Sequence, residues 1–302
     1  MNTFNVKELN QRAQENPQEL IRGCEEDFSQ RIKDIARQIQ QDKVKYVFIS
    51  GPTSSGKTTF SKKFADYLKD SHHLDISLDD YYKPLEKMPL KKNGEYNFES
   101  IFSLNLDFMY ESFRLLKEGK EVYLPLVDFM TQKRIENHEK VKRREESVVV
   151  IEGLHALNSK ITGIFEGERI LKVFIMPDPT IQEEDKTFSR FDFRFIRRMV
   201  RDFNFRNAEV ERSLKMWLDV RSGEKVYMDQ YRKNADVCMN TFLAYEPCIL
   251  KRPALELLSQ VPGESEFGRK VARLQNLMER FVEIPLSHLP EASLLNEFVK
   301  RD

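Results

Sequence analysis

Residues 45–59 read KYVFISGPTSSGKTT, and this stretch decides the fold. Its apolar run Val47–Ile49 predicts a short buried strand, which ends in GPTSSGKT, a fit to the pattern G-x-x-x-x-G-K-[ST]. A polar segment of helix-forming composition, TFSKKFADYLKD, follows. A strand, a loop bounded by two glycines and a helix in this order predict a loop that binds phosphate groups. An ordinary glycine-rich turn is the alternative.

The spacing of this phosphate loop has a physical reason. Gly51 and Gly56 let the backbone turn its N–H groups inward around a polyphosphate, and the following helix adds the positive end of its dipole. Lys57 can reach the β- and γ-phosphates, and the Thr58 hydroxyl can bind Mg²⁺. The sequence therefore predicts binding of a nucleoside triphosphate. The predicted binding residues are Gly51, Pro52, Thr53, Ser54, Ser55, Gly56, Lys57, Thr58 and Thr59.

Composition excludes several classes of protein. The chain has 302 residues, 40% of them hydrophobic, which predicts one large domain, alone or with an appendage. Lys+Arg and Asp+Glu number 49 each, so no overall charge points to nucleic acid or a membrane surface. The N-terminus lacks the apolar core of a secretory signal, no apolar run is long enough to span a membrane, and the three cysteines form no pattern. We expect a cytoplasmic protein that binds neither nucleic acid nor membrane.

Strand-like and helix-like segments alternate along the chain. Strand patterns occur at 73–80, 122–129, 147–153, 170–176 and 235–240, and helical patterns at 104–119 and 191–220. The charge run 132–146 indicates a solvated hairpin. This alternation predicts an α/β fold with a mostly parallel sheet covered by helices on both faces. Ligands of such sheets bind at the carboxyl ends of the strands, where Gly51, Asp79 and Glu152 fall.

The chain divides into three predicted parts. Residues 1–43 are polar and amphipathic and form a helical N-terminal segment. Residues 44–260 form the nucleotide-binding domain, which includes an Arg-rich segment at about 190–212. Residues 261–302 form a helical tail packed on that domain.

Two acidic positions at strand ends are candidates for chemistry. We expect Asp79 at the mouth of the strand next to the phosphate loop, where it can accept a hydroxyl proton while that oxygen attacks a γ-phosphate. The alternative is an acidic turn, with Asp80 beside it and tyrosines packed beneath. Glu152 ends the strand VVVIE and can hold Mg²⁺ through water, with a capping or ion-pair role as the alternative.

The Arg-rich segment, RFDFRFIRRMVRDFNFRNAEVER, carries seven arginines. Several are explained as solvated charge on a surface helix. Arg194, Arg197, Arg198 and Arg201 are nevertheless spaced to share one broad helix face, which suits a lid that closes over phosphates. Nucleic-acid binding is the rival interpretation, and the neutral overall charge makes it the weaker one.

These segments together resemble the uridine kinase/phosphoribulokinase family. The resemblance is carried, in order, by GPTSSGKTT, SLDDYY, YNFES, LPLVDF, VVVIEGLHALN and RRMVRDFNFRNA. The later stretches SLKMWLDVRSGE, NADVCMNTFLAYE and IPLSHLPEASLLNEF are similar to a bacterial uridine (nucleoside) kinase-like branch. The resemblance implies a nucleoside-kinase-like P-loop NTPase fold with an Arg-rich lid, and ATP and Mg²⁺ as cofactors.

The resemblance also implies roles for individual residues. Asp79 matches the catalytic base, and Glu99 matches an acidic residue that binds the 2′- and 3′-hydroxyls of a ribose. The catalytic residues so implied are Lys57, Asp79, Arg194, Arg201 and Arg206. The substrate-binding residues are Tyr82, Phe98, Glu99, Asp128 and Gln132. The metal-binding residues are Thr58, Asp79 and Glu152.

The chain departs from the family pattern in the segment LPLVDFMTQKR. Uridine–cytidine kinases carry there a tyrosine and a histidine that read the pyrimidine, and this chain has Val127 and Gln132. Gln132 can still donate and accept hydrogen bonds, but the aromatic contact is absent. The segment 180–191 before the Arg-rich helix is also unusual, and its sequence pattern leaves it unexplained.

We therefore predict a kinase that transfers the γ-phosphoryl group of Mg·ATP to the 5′-hydroxyl of a nucleoside, with uridine favoured. One alternative is a kinase for another small alcohol, such as a sugar phosphate or pantothenate. Glu99 favours a vicinal diol, which ribose has and pantothenate lacks. A second alternative is an ATP-binding regulator without turnover. The partners expected are ATP and the small acceptor, and a homo-oligomer is left open.

Overall fold

The computed structural model describes residues 4–68, 73–128, 133–184 and 186–301. The strands are β1 (Phe4–Asn5), β2 (Tyr46–Ser50), β3 (His73–Ser77), β4 (Glu121–Asp128), β5 (Lys133–Lys142), β6 (Val148–Glu152), β7 (Ile170–Met176), β8 (Ile181–Glu183), β9 (Lys186–Thr187) and β10 (Val237–Asn240). The α-helices are α1 (Val6–Glu15), α2 (Pro17–Gln41), α3 (Lys57–Tyr67), α4 (Leu106–Lys117), α5 (Ser159–Thr162), α6 (Arg190–Arg206), α7 (Val210–Asn234), α8 (Glu246–Leu258) and α9 (Gly268–Glu279).

A parallel sheet with the strand order β10-β7-β2-β6-β3 lies at the centre of the fold. All residues of its middle strand, β2, are buried. Strands that are buried on both faces have continuous apolar sequences, which is why VFI in β2 and VVVI in β6 were recognisable from sequence. The predicted α/β fold, with a mostly parallel sheet and helices on both faces, is confirmed.

The two faces of the sheet enter different hydrophobic cores. Val47 and Ile49 of β2 belong to a core that also takes side chains from α2, α3, α6, α8 and α9. Tyr46 and Phe48 point to the opposite core, where the ring of Phe165 lies 4.4 and 5.4 Å from theirs. Alternating side chains of one strand thus anchor both helical layers.

One expectation about the sheet is wrong. The strand before Asp79 does not lie next to the strand of the phosphate loop as expected, because β6 lies between β3 and β2. β6 is almost entirely buried, whereas β3 is the outer strand and carries exposed residues. The more apolar strand takes the more buried position, because burial of its side chains is the larger gain.

The N-terminal segment packs along the sheet as two helices. Asn5 and Asn16 cap α1 and α2 through their side chains, and Pro17 begins α2. α2 buries a stripe of apolar residues against α3. These residues are Leu20, Ile21, Phe28, Ile32, Ile35, Ala36 and Ile39.

The unexplained segment 180–191 contributes to a second, small sheet. β1 pairs in parallel with β8, with Phe4 opposite Ile181, and β8 pairs antiparallel with β9. Arg280, just after α9, forms an ion pair with Glu183 of β8. This segment therefore joins the N-terminal helices to the C-terminal part of the chain.

The strands β4 and β5 form a separate antiparallel pair, and β4 lies against the turn Leu78–Tyr81 that follows β3. The register shifts at Pro125, which cannot donate to the ladder. The residues of β5 are mostly exposed, as expected for the charge run.

The C-terminal part packs on the rest of the molecule. α9 lies against α8, and the turn Leu294–Glu297 lies against α3. Leu274, Leu294 and Phe298 belong to the same core as the N-terminal helices. The division at residues 43 and 260 stays a prediction, because the three parts share this core.

No helix among the residues with described structure has both the length and the apolar composition needed to cross a membrane.

Candidate active site

The phosphate loop between β2 and α3 leaves no room for side chains at its two glycines. A Cβ on Gly51 would lie 2.4 Å from the carbonyl oxygen of Ile175, and Gly56 has a φ of +85°. The hydrogen bond from Phe60 N to Gly56 O, 2.9 Å long, is the first of α3. The N–H groups of the preceding turn therefore have no acceptor within the helix and can bind anionic groups.

Three side chains hold the outer side of the phosphate loop by its carbonyl oxygens, and we call them the brace. The donor–acceptor pairs are Arg194 Nη2 and Thr53 O (3.1 Å), Arg197 Nη1 and Ser54 O (3.4 Å), and Thr241 Oγ1 and Ser55 O (2.6 Å). Carbonyl groups that are fixed outward leave the loop's N–H groups free to point inward. The brace therefore favours the backbone conformation that a polyphosphate needs.

Both arginines of the brace are members of buried ion pairs. Arg194 and Glu224 are 0% and 3% exposed, with 3.0 Å between Arg194 Nη1 and Glu224 Oε2. Arg197 and Glu246 are fully buried, with N–O distances of 2.6 and 2.5 Å. Bidentate pairing with a carboxylate, together with a carbonyl acceptor, satisfies most of the N–H donors of each guanidinium. These hydrogen bonds offset the loss of hydration.

The expectation that the Arg-rich segment presents its charge at the surface is wrong for Arg194 and Arg197, and also for Arg198 and Arg201, which are buried as well. α6 is buried without interruption from Asp192 to Asp202. Glu224 and Glu246, on α7 and α8, come from distant parts of the sequence, so helical spacing alone could not reveal the burial of Arg194 and Arg197. The closing of this segment over bound phosphates as a lid stays a prediction.

Three further arginines of α6 share one carboxylate, Asp202. The N–O distances to Asp202 are 3.2 Å from Arg198, 2.7 Å from Arg201 and 3.6 Å from Arg206. Arg198 Nη1 also donates to Thr53 Oγ1 of the phosphate loop at 3.3 Å. One carboxylate does not neutralise three guanidinium groups. The three guanidinium groups beside the loop can therefore also pair with the oxygens of a polyphosphate.

Lys57, the first residue of α3, lies folded against the phosphate loop. Its Nζ donates to the carbonyl oxygens of Gly51 at 3.0 Å and Pro52 at 3.3 Å. The side chain is partly exposed. The ammonium group is therefore already at the loop and can exchange these acceptors for phosphate oxygens.

Glu152 ends β6 between the phosphate loop and Asp79. It lies opposite Ile49 of β2 and Ser77 of β3, and Ser77 Oγ donates to Glu152 Oε1 at 2.9 Å. The pKa of Glu152 is raised to about 7, first by burial and then by the neighbouring Asp79, against the opposing charge of Lys57. The structure thus brings these three charged groups together at the carboxyl ends of the strands.

The adjacent residues Asp79 and Asp80 have different surroundings. Both lie in one 3-10 turn after β3, which Ser77 caps by accepting from Asp79 N at 3.3 Å. Asp80 Oδ1 accepts from Val127 N of β4 at 2.9 Å. Ser77 therefore links the backbone of Asp79 to Glu152, while Asp80 holds the hairpin.

Glu99 lies against α7, within electrostatic reach of the phosphate loop. A Cβ on Gly223 would lie 2.5 Å from the Cβ of Glu99, so this approach depends on glycine. The pKa of Glu99 is raised to about 7, first by burial and then by Glu224, while Arg198 and Lys57 oppose the shift.

Tyr82 lies near both Asp79 and Glu99. Its hydroxyl donates to the carbonyl oxygen of Phe98 at 3.0 Å. Burial raises the pKa of Tyr82 well above its usual value, and the charges of Asp79 and Glu99 add to the shift. The Phe98 residue itself is 42% exposed. Tyr82 is therefore within electrostatic range of both Asp79 at the strand end and Glu99.

Two predicted substrate residues cannot be placed on this surface. Gln132 lies outside the described residues, and so does the side chain of Asp128. Val127 is half-buried in β4, opposite Arg134 of β5. The roles of Asp128 and Gln132 stay predictions.

Sequence reasoning missed several residues of the site. Arg197 stood out only through its spacing, and Glu224 lies in a stretch that only the family resemblance singled out. Thr241 directly follows β10, so its position at a strand end was a usable signal. Glu297, which contacts α3, likewise lies in a stretch that only the family resemblance singled out, without a role for this residue.

The oxygen donors of the site fit Mg²⁺ bound together with a triphosphate. Glu152, Asp79 and Thr58 supply carboxylate and hydroxyl oxygens, which Mg²⁺ prefers. Within the described ranges, no group of three or more His, Cys, Asp or Glu side chains is placed to hold a metal by itself. Phosphate-transfer sites hold Mg²⁺ with few protein ligands because the substrate supplies the rest.

A glycine-bounded phosphate loop on the middle strand of a parallel sheet, with carboxylates at the neighbouring strand ends, defines the P-loop class of nucleotide-binding proteins. Residues 47–244 match the model of the Phosphoribulokinase / Uridine kinase family. This match covers more than half of the chain, so the chain belongs to that family, which is one of phosphotransferases.

Similar curated proteins carry the name uridine kinase. The one from Schizosaccharomyces pombe is 28% identical over 171 residues, which cover 56% of this chain and 34% of that protein. The one from Borrelia duttonii is 29% identical over 208 residues, which cover 64% of this chain and 85% of that protein. The match thus spans about a third of the length of the S. pombe relative.

A solved structure supports the fold. A protein from Silicibacter sp. TM1040, provisionally described as a fructose transport system kinase, superposes with a TM-score of 0.50 over 69% of this chain and 98% of its own. The two sequences are 14% identical, so this likeness concerns the fold alone.

Thr241→Val should weaken the binding of ATP by about threefold to tenfold. The substitution keeps the shape of the side chain but removes the hydrogen bond to Ser55 O, and one such bond contributes about 0.5–1.5 kcal/mol. Calorimetric titration with a non-hydrolysable ATP analogue measures the effect. Thr162→Val, at the end of α5, is the matched control. Equal affinity of Thr241→Val and wild type would show that the brace does not shape the loop.

Glu99→Gln should change the pH dependence of stability. The folded-state pKa of Glu99 is about 7, above the ordinary 4.5, so the wild type loses stability as the pH rises through this interval. The variant lacks this loss, and its free energy of unfolding should gain about 3 kcal/mol relative to wild type between about pH 4.5 and about pH 7.5, since one pKa unit corresponds to about 1.4 kcal/mol. Urea denaturation at the two pH values measures the gain. The control is Glu86→Gln, at an exposed position, and an equal gain there would contradict the assignment.

Proposed function

We propose that the chain is an ATP-dependent kinase that transfers the γ-phosphoryl group of Mg·ATP to the 5′-hydroxyl of a nucleoside, with uridine as the first candidate. The observation that carries the proposal is the Ser77 side chain, which joins the backbone of Asp79 to the carboxylate of Glu152. A base and a metal ligand that share one support, next to a phosphate loop, are the parts that phosphoryl transfer to an alcohol requires.

Asp79 is the proposed general base. Asp80 is engaged with the hairpin through Val127 N, which leaves Asp79 to face the acceptor. The Asp79 carboxylate accepts the proton of the acceptor hydroxyl as that oxygen bonds to the γ-phosphorus. The bond to the bridging oxygen of ADP then breaks, and ADP leaves with the electron pair.

Charge that develops on the transferred group is stabilised by Lys57, Arg198, Arg201 and Arg206. The three arginines share the single carboxylate of Asp202, so they retain positive charge for a ligand. Thr58 and Glu152 would hold Mg²⁺, which neutralises charge on the β- and γ-oxygens when bound. Arg194 has a different role, because it shapes the phosphate loop from outside.

Glu99 is the proposed reader of the acceptor. A carboxylate can accept hydrogen bonds from two neighbouring hydroxyl groups, so it suits the vicinal diol of a ribose. Tyr82 lies within electrostatic range of both Glu99 and Asp79. This proximity supports an acceptor that binds Glu99 through its diol and places its reacting hydroxyl at Asp79. The name uridine kinase, carried by the relatives, supports a nucleoside as that acceptor.

A coupled assay of ADP release across nucleosides, sugar alcohols, sugar phosphates and pantothenate tests the function. Turnover with ribonucleosides supports the proposal. Turnover only with another class of alcohol would show that the acceptor is that alcohol and not a nucleoside. Binding of ATP without turnover on any acceptor would favour a regulator that has lost catalysis.

Asp79→Asn should lower kcat by roughly 10²–10⁴, the usual effect of losing a general base, while ATP affinity changes little. Steady-state kinetics with the best acceptor measure the loss. Asp80→Asn is the comparison variant, because Asp80 contacts the hairpin instead. A large loss in Asp80→Asn and a small one in Asp79→Asn would reverse the assignment.

A 2′-deoxynucleoside should be a much poorer substrate than its ribonucleoside, by about tenfold or more in kcat/KM. Removal of one hydroxyl leaves part of the Glu99 carboxylate without a donor in a largely buried site. Glu99→Ala should narrow this ratio and lower the overall rate. Equal kcat/KM for both substrates in the wild type would reject Glu99 as the diol reader.

A further inference from the structure

The C-terminal tail places a carboxylate on the first turn of α3. Glu297 Oε2 accepts from Thr59 Oγ1 at 3.0 Å and from Thr59 N at 3.4 Å. Thr59 N is one of the N–H groups that precede the first hydrogen bond of α3, from Phe60 N to Gly56 O. These groups, at the positive end of the helix dipole, are the ones that a polyphosphate uses.

The surrounding tail, Ser293–Val299, holds Glu297 at this position. A Cβ on Gly56 would lie 2.6 Å from Leu294 Cδ1, so the tail packs directly on the phosphate loop. The Ser293 Oγ and Tyr245 Oη atoms lie 2.9 Å apart, within hydrogen-bond distance. Leu294, Leu295 and Phe298 are fully buried. The contact is therefore part of the packed structure.

The tail also contacts the helix that braces the phosphate loop. Asn204 Nδ2 of α6 donates to the carbonyl oxygen of Phe298 at 3.0 Å, and the guanidinium of Arg197 lies 5.1 Å from the centre of the Phe298 ring. A movement of the tail would therefore change contacts of both the phosphate loop and α6.

Glu297 adds negative charge to a site that already contains carboxylates. Burial and Asp79 raise the pKa of Glu152, and the charge of Glu297 contributes to the same shift. The Glu297 carboxylate is therefore close enough to act on the groups around the phosphate loop. An incoming polyphosphate meets both this charge and an occupied N–H group.

We propose that Glu297 is an autoinhibitory competitor: its carboxylate takes the place of a nucleotide phosphate on Thr59, and nucleotide binding displaces it together with the tail segment 294–299. The inference rests on the proposed use of ATP and goes beyond it. It makes the affinity for ATP depend on how firmly the tail is docked. Anything that holds the tail away from α3 raises that affinity.

Glu297→Gln tests the competition with little change in shape. The glutamine can still accept from Thr59 but carries no charge, so the affinity for a non-hydrolysable ATP analogue with Mg²⁺ should rise about tenfold. Calorimetric titration measures the Kd, and thermal unfolding confirms that the variant is folded. Glu291→Gln is the matched control, since Glu291 is exposed just before the tail segment and its substitution should leave the Kd unchanged.

The outcomes separate this inference from the proposed function. A lower Kd for Glu297→Gln, with no change for Glu291→Gln, supports the competition. Binding that is detectable only with Glu297→Gln supports it further. A Kd of Glu297→Gln that equals or exceeds that of the wild type overturns the competition, while ATP binding itself is still supported. If neither protein binds the analogue, the proposed function fails and the competition fails with it.

Hydrogen exchange gives a second, independent readout in the wild type. Amides of residues 294–301 should exchange faster when the analogue is bound, because the ligand replaces the contact to Thr59. Slower or unchanged exchange there would overturn the displacement of the tail. The Glu297→Gln protein should show faster exchange already without ligand, since its contact to Thr59 has lost the charge.

Discussion

The shape of the phosphate loop depends on two arginines that the fold buries completely. Arg194 and Arg197 each use one part of the guanidinium to pair with a buried glutamate and another to hold a carbonyl oxygen of the loop. Burying a charge is costly unless it is paired, and removing one partner of such a pair costs about 3–5 kcal/mol. The loop conformation is therefore coupled to the packing among α6, α7 and α8, and a loosened loop would leave guanidinium N–H groups of these arginines without their carbonyl acceptors.

Much of this could be read from the sequence, and the reasons for the rest are physical. The loop after β2 and the strand ends at Asp79 and Glu152 were accessible because strand, turn and helix signals are local. The order of the strands does not follow from local sequence signals. β6 rather than β3 lies beside β2 because β6 buries more apolar surface. The burial of Arg194 was also hidden, since its partner Glu224 lies on another helix, and burial depends on which helices pack together.

The parts of the site that escaped sequence reasoning share one property: each acts through a contact between segments far apart in the chain. The hydroxyl of Thr241 reaches the phosphate loop from the end of β10, and Glu297 reaches α3 from the tail. The role of segment 180–191 depends on the pairing of β8 with β1, which its own sequence does not indicate. Spacing within a helix or strand predicts which residues share a face, but the partner of that face is set by the tertiary fold.

The arginines of α6 divide into two groups that the sequence makes look alike. Arg197 pairs with Glu246 and Arg194 shares Glu224 with Arg221, whereas Arg198, Arg201 and Arg206 all share Asp202. A polyanion can therefore be bound by the second group without breaking the ion pairs of the first. The two ion pairs that support the loop are therefore separate from the arginines that are available to a polyanion. The tail places one more carboxylate, that of Glu297, on Thr59 at the start of α3. The resting site therefore holds both guanidinium groups that suit a polyphosphate and a negative charge that opposes it.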